Sequence, residues 1–332
     1  MKNKNDYVHT VITKVFAILI LIICTNMLIG SATATSDAAI QITDVAGYEK
    51  APSFSPDGKY IAFESTESGN TDIWIIDTTT LEKTQVTFDP SEDTYPKGWS
   101  PDSRRITFTS KRSGNMDIWI IDVDGTNPIQ VTTYPGYDFY SSFSPDGTKI
   151  AFTSTRSGNS EIWYIDENGA HQVTNDPNQD NMIPSWAPNS RSILFRSTRS
   201  GNGDVWMIDY DGTNLTQITT HPGEDWGASF SNDGKHITFD SERTGNMEIW
   251  IMDADGSNLA QLTYSGGIDM CNIWSPDNKT IAFWSDRNGN GDIFILDTTA
   301  KIKENRLQAG LLLVIIIGFL GYLGTQSKRK GR

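Results

Sequence analysis

The chain has 332 residues and a formal net charge of −14, with 27 Lys and Arg against 41 Asp and Glu. Setting aside the three N-terminal and seven C-terminal bases, with the terminal acids Asp6 and Glu304, leaves 17 bases against 39 acids, so the body carries −22. So acidic a surface lacks the Lys and Arg clusters that a phosphate backbone needs, which excludes nucleic acid as a partner and fits solubility in salt or contact with basic partners.

Residues 1–34 read as a signal peptide. Lys2, Lys4 and Lys14 precede an apolar run over 15–30, and Ala32-Thr33-Ala34 supplies the small residues of a cleavage site. An uncleaved signal anchor is the alternative, since about 20 apolar residues span a bilayer. Either reading places the body of the chain outside the cytoplasm.

Residues 36–298 read as one repeat domain. Phe54, Trp99, Phe143, Trp186, Phe230 and Trp274 each open a variant of Phe-Ser-Pro-Asp-Gly, at intervals of 45, 44, 43, 44 and 44 residues. A period near 44 held this long signals a repeat architecture. In the first copy, 51–54 is a strand. Ser55-Pro56-Asp57-Gly58 turns it back, because Pro presets φ, Asp bonds its own turn and Gly accepts a positive φ. Residues 60–65 alternate as a second strand, and Asp72 to Asp77 is an apolar third strand buried on both faces. Gln85-Val86-Thr87 is the fourth, and its Gln recurs at Gln130, Gln172, Gln217 and Gln261. Four strands per repeat without a helical period describe an all-β, six-bladed β-propeller of four-stranded blades; an open stack of sheets is the rival.

The sixth repeat ends after Asp297 without a Gln-x-Thr strand, while Gln41-Ile42-Thr43 stands ahead of the first repeat without a blade. We therefore expect 40–43 to pair beside 293–296 and close the last blade, leaving no unpaired edge. Residues 299–306 are a linker. Residues 307–325 are apolar and uncharged, and the basic tail 326–332 comes next, so a transmembrane helix anchors the exported ring with its tail in the cytoplasm. Such a tail can also be cut and replaced by a lipid.

Cys24 lies in the leader and Cys271 is alone in the ring, so no intrachain disulfide is expected after cleavage. Asn214-Leu215-Thr216 and Asn278-Lys279-Thr280 are glycosylation acceptors by pattern. Asp122-Val123-Asp124-Gly125 and its copies at 209–212 and 253–256 read as hairpin turns rather than calcium loops, because the distal Glu is missing. His9, His171, His221 and His236 show no metal spacing. No metal, no cofactor and no catalytic constellation is expected.

The run Phe54-Ser55-Pro56-Asp57-Gly58-Lys59-Tyr60-Ile61-Ala62-Phe63, followed by Ser-Gly-Asn, Asp-Ile-Trp and Gln-Val-Thr, resembles the WD-repeat-like blades of the TolB-type six-bladed propeller over 40–297. The resemblance implies a module like the periplasmic TolB proteins, which bind peptides and lipoproteins at the propeller face. Related blades gate the hydrolase domain of prolyl-oligopeptidase-type peptidases. The chain departs from both: it carries no small N-terminal α/β domain and no Gly-x-Ser-x-Gly elbow, and a transmembrane tail is foreign to TolB.

In such a ring the loops from outer to next inner strand, and from second to third strand, share one face. They contribute an acid before each aromatic, at Glu49, Asp93, Asp138, Asp180, Asp225 and Asp269, and a base at Arg112, Arg156, Arg199, Arg243 and Arg287, with Glu67 in the base position of the first repeat. The arginines read as interblade clamps, each pairing with a neighbouring blade's acid. The alternative leaves carboxylates free at the channel mouth for a basic peptide or cation. Tyr48, Tyr95, Tyr134, Tyr137, Phe139, Tyr140, Trp226 and Met270 fall on the same face outside the repeat pattern and are candidates for a contact surface. Ser53, Ser142, Ser185 and Ser229, with Lys97 and Asn272, are expected along the channel. The favoured reading is a noncatalytic envelope binding module for a protein or peptide, or an envelope glycan; a propeller lyase or hydrolase is the alternative.

Overall fold

The computed structural model describes residues 38–176 and 180–303. The leader 1–34, the transmembrane helix 307–325 and the tail 326–332 lie outside the described residues. Among the described residues no helix is long and apolar enough to cross a membrane.

Six four-stranded antiparallel sheets form the ring. Their inner strands are Glu49–Phe54, Asp93–Trp99, Asp138–Phe143, Asn181–Trp186, Asp225–Phe230 and Asp269–Trp274. Each inner strand packs beside the next, and the sixth beside the first, so the circle is closed and the open stack is excluded.

The local chemistry explains each turn. Ser55 Oγ donates to Asp57 Oδ1 at 2.8 Å, the amides of Lys59 and Tyr60 donate to Asp57 Oδ1 and Ser55 Oγ, and Gly58 takes φ 74°. The recurrent Gln-x-Thr is a lock between fourth and third strands. Gln85 Nε2 and Thr87 Oγ1 donate to the two oxygens of buried Asp72, at 3.0 and 3.2 Å, while Ile73 N donates to Thr87 Oγ1.

The same lock closes the ring. Ile40 pairs with Ile295 and Gln41 with Phe294, Gln41 Nε2 donates to Asp292 Oδ2 at 3.0 Å, and Ile293 N donates to Thr43 Oγ1 at 2.8 Å. The early segment thus supplies the missing outer strand, as expected from the repeat.

The core sits between blades. The second-strand phenylalanines Phe63, Phe108, Phe152, Phe195, Phe239 and Phe283 are among the largest fully buried side chains. Fully burying such a ring stabilises by roughly 1.5–3 kcal/mol. After the last strand, residues 299–303, the described part of the linker, form a short helix, and Ile302 packs on the cluster between blades 5 and 6.

Candidate functional site

The charge ring is real, but its carboxylates are withdrawn from solvent. Glu49, Asp93, Asp138, Asp225 and Asp269 have no exposed surface. Arg112 reaches Asp93 at 2.6 Å, Arg156 reaches Asp138 at 2.7 Å, Arg287 reaches Asp269 at 2.8 Å, and Arg243 meets both oxygens of Asp225 at 3.1 and 3.2 Å. Each pair lies within one sheet, which corrects the interblade pairing: the loop after the second strand folds over its own inner strand. The guanidinium is also held over two rings of its blade, as with Arg243 at 4.8 Å from both Phe239 and Trp250.

The junction is bridged by the acid instead. Asp93 N donates to Thr71 O and Asp138 N to Met116 O of the preceding blade. Burial raises the carboxyls of Asp93 and Asp138 above the ordinary range, offset by the neighbouring serine and arginine.

Blade 4 departs from the pattern. Asp180 is exposed and its amide donates to Thr198 Oγ1; the position facing Arg199 is Asn181, at 2.9 Å. Asn181 Nδ2 also donates to Glu161 Oε2 at 2.9 Å.

Around the channel every inner strand breaks register at a bulge. The bulge places Ala51, Tyr95, Tyr140, Ile183 and Cys271 at φ 54°, 54°, 56°, 59° and 61°. For side chains of this bulk such backbone costs on the order of 1–3 kcal/mol each, held by surrounding structure. Glu64 accepts from Tyr95 N at 2.8 Å, Thr153 from Ile183 N at 3.2 Å, and Asp240 from Cys271 N at 2.9 Å.

Blade 2 has seven residues in its inner strand where blade 1 has six, and the extra length carries Lys97. Its ammonium acts on Glu64 and on Asp240 of blade 5, and burial pushes Asp240 up to about 6. The Tyr95 and Tyr140 rings lie 4.3 Å apart, with Phe139 5.0 Å from Tyr140. Trp226 carries Arg196 over its ring at 4.2 Å. Burial raises the Cys271 thiol, which suits packing rather than nucleophilic attack.

Ser53 does not line the channel: it is buried, its Oγ donates to Pro96 O of the next blade, and its carbonyl accepts from Trp99. Asn272 is also buried, with Nδ2 on Asp240 at 2.6 Å.

The irregular aromatics gather on the loop face. Tyr48, Tyr134 and Tyr137 are 41%, 46% and 55% exposed. Met270 and Trp226 are half-buried on the inner strands of blades 6 and 5. Phe88, 72% exposed in the loop between blades 1 and 2, and Ile268 between blades 5 and 6 extend the apolar face and were not singled out from the sequence. Their only mark is an apolar side chain inside a polar loop. A separate apolar pocket of about 380 Å³ opens among the hairpin turns where blade 6 meets blade 1, lined by Ile42, Phe54, Ile76, Leu81 and Ile295. Among the described residues no group of acidic, histidine or cysteine side chains could hold a metal ion.

The family described as "TolB beta propeller domain" matches residues 29–125 and 98–177, and "Tricorn protease N-terminal beta propeller domain" matches 200–294. Among solved structures, a protein assigned as TolB from Agrobacterium tumefaciens is 22% identical with a TM-score of 0.62, over 77% of this chain and 92% of that one. TolB from Acinetobacter baumannii is 21% identical with a TM-score of 0.61, over 77% of this chain and 62% of that one. An oligogalacturonate lyase from Vibrio parahaemolyticus is 11% identical with a TM-score of 0.58, over 80% and 96%. No curated protein matches in sequence.

Proposed function

We propose that this chain, a TolB-type β-propeller, is a noncatalytic binding module of the cell envelope that engages a protein or peptide through its loop face. The observation that carries this reading is the set of exposed aromatics on that face: Tyr48, Phe88, Tyr134 and Tyr137 on consecutive loops, with the tilted ring pair Tyr95 and Tyr140 on the inner strands. Aromatic side chains offer large contact area at small entropic cost, and monomeric proteins rarely leave several exposed together. Four of the six acids of the charge ring, Asp93, Asp138, Asp225 and Asp269, are spent on their own arginines, so apolar and aromatic contact leads over charge in the attraction. Export and tethering by 307–325 belong to the same proposal, as does contact with an envelope glycan as the lesser variant.

A photocrosslinking amino acid at position 137 or 88 of the full chain in its native host tests this. A discrete protein adduct absent from the same probe at Leu259, on the opposite turns, is expected. Equal labelling at both faces, or turnover of an envelope polymer by the purified protein, overturns it.

A further inference from the structure

Five of the six blades carry the same arginine pair, and blade 1, at the closing junction, does not. In blades 2 to 6 an arginine of the second loop meets the residue that opens the inner strand. In blade 1 that position is Glu67, so Glu49 has no arginine. Its nearest cation is Lys83, 3.8 Å from Glu49 Oε1 and already bonded to Glu67.

The carboxyl of Glu49 instead faces Asp292 of blade 6, within hydrogen-bonding reach. Neither oxygen of Glu49, nor Oδ1 of Asp292, meets a donor in good hydrogen-bond geometry, although the Thr43 hydroxyl of the closing strand lies beside Glu49 and eases its charge. Two buried carboxyls that face each other, eased only by the Thr43 hydroxyl on Glu49 and the Val45 amide on Asp292, are accommodated when one proton is shared, since both cannot ionise at contact without large repulsion. Asp44 adds further negative charge toward Asp292.

The closing strand hangs on this pair. Asp292 Oδ2 accepts from Gln41 at 3.0 Å, Asn288 donates to Gln41 Oε1 at 2.6 Å, and Thr43 accepts from the amide next after Asp292 in sequence. Glu49 N in turn donates to Gly291 O at 2.7 Å.

We propose that the ring's closing junction is a proton-operated latch: Glu49 and Asp292 share one proton, and its loss to solvent loosens strand 40–43 from the sixth blade. Burial lifts the Glu49 carboxyl from the ordinary 4.5 to about 7. The closed form therefore keeps a proton that the open form releases between those values. Across that window the opening constant rises by up to about tenfold per pH unit, and above it there is no further change.

The test is amide hydrogen exchange of segment 40–43 in the full protein between pH 5 and 9, corrected for intrinsic exchange. The variants are Glu49→Gln and the double change Glu67→Arg with Lys83→Leu, which rebuilds the arrangement of blade 5, where Leu259 stands at the register of Lys83. Opening that rises through the window in the parent and is flat in both variants is expected. A flat parent profile, or an unchanged slope in the double variant, overturns the latch. Glu67 and Lys83 are not core residues, so the double variant carries the test if Glu49→Gln does not fold. Exchange of 40–43 that only tracks global unfolding also overturns it.

Discussion

The indole N–H of Trp99 donates to the carbonyl of Ser53 at 3.1 Å, tying blade 2 to blade 1. Trp186 repeats the bond to Ser142 O at 3.1 Å between blades 3 and 4. The alternation of Phe and Trp at the head of successive repeats therefore has a structural meaning in blades 2 and 4, where the Trp bonds back to the Phe-headed blade before it. Caps on the bulges keep the same rhythm, since Glu64, Thr153 and Asp240 of odd blades serve Tyr95, Ile183 and Cys271 of even ones.

The third pair tests the value of that bond, because Trp274 Nε1 has no acceptor. Trp99→Phe should destabilise by about 1 kcal/mol more than Trp274→Phe, the net worth of one hydrogen bond. Urea midpoints of the two variants check this, and equal losses would refute the pairing.

The buried arginine pairs give a second contrast. Arg156→Gln strands Asp138 without a counter-charge and should cost about 3–5 kcal/mol. Arg199→Gln strands no buried carboxylate, since the facing position is the neutral Asn181, and should cost less, on the order of 1–3 kcal/mol. Adding Asp138→Asn to the first variant should recover much of the loss, as read by thermal unfolding.

Asp240 sets a pH dependence whose sign is fixed by its environment. Burial raises it from the ordinary 3.8 to about 6, so its contribution to stability is present below about pH 4 and lost as pH rises to about 6. The full effect is on the order of 3 kcal/mol. Asp240→Asn should remove that slope, seen as the difference between parent and variant midpoints across the window.

Strand closure can be probed at the threonine of the lock. Thr43→Val leaves Ile293 N unpaired at a buried site and should cost about 1–3 kcal/mol. Thr87→Val, at the equivalent position of blade 1, should cost a similar amount by calorimetry, which would show that the borrowed strand is held as firmly as an intrinsic one.

Blade number and closure were legible because they arise from short covalent patterns. Ser-Pro-Asp-Gly dictates a turn, and the Gln-x-Thr at 41–43 is displaced from a blade that needs it. The charge ring was legible in kind but not in placement. Counting back from each aromatic selected Asp180 where the structure uses Asn181, because the bulges do not all have the same length and blade 2 holds an extra residue. Whether an arginine turns to its own blade or the next depends on how a loop folds over its strand, which composition does not specify. Phe88 and the strained bulge at Ile183 have no repeat signature at all; they emerge only when the inner strands converge.

Gln41 and Asp292 stand 251 residues apart. During synthesis the first of them leaves the ribosome before any blade exists, and the second appears only when almost everything else has been made. The nascent protein is thus a ribbon with two adhesive ends, and an interrupted translation product has nowhere to fasten its leading end. Such long-range fastening comes late in folding and leaves both ends open to other chains until it is complete.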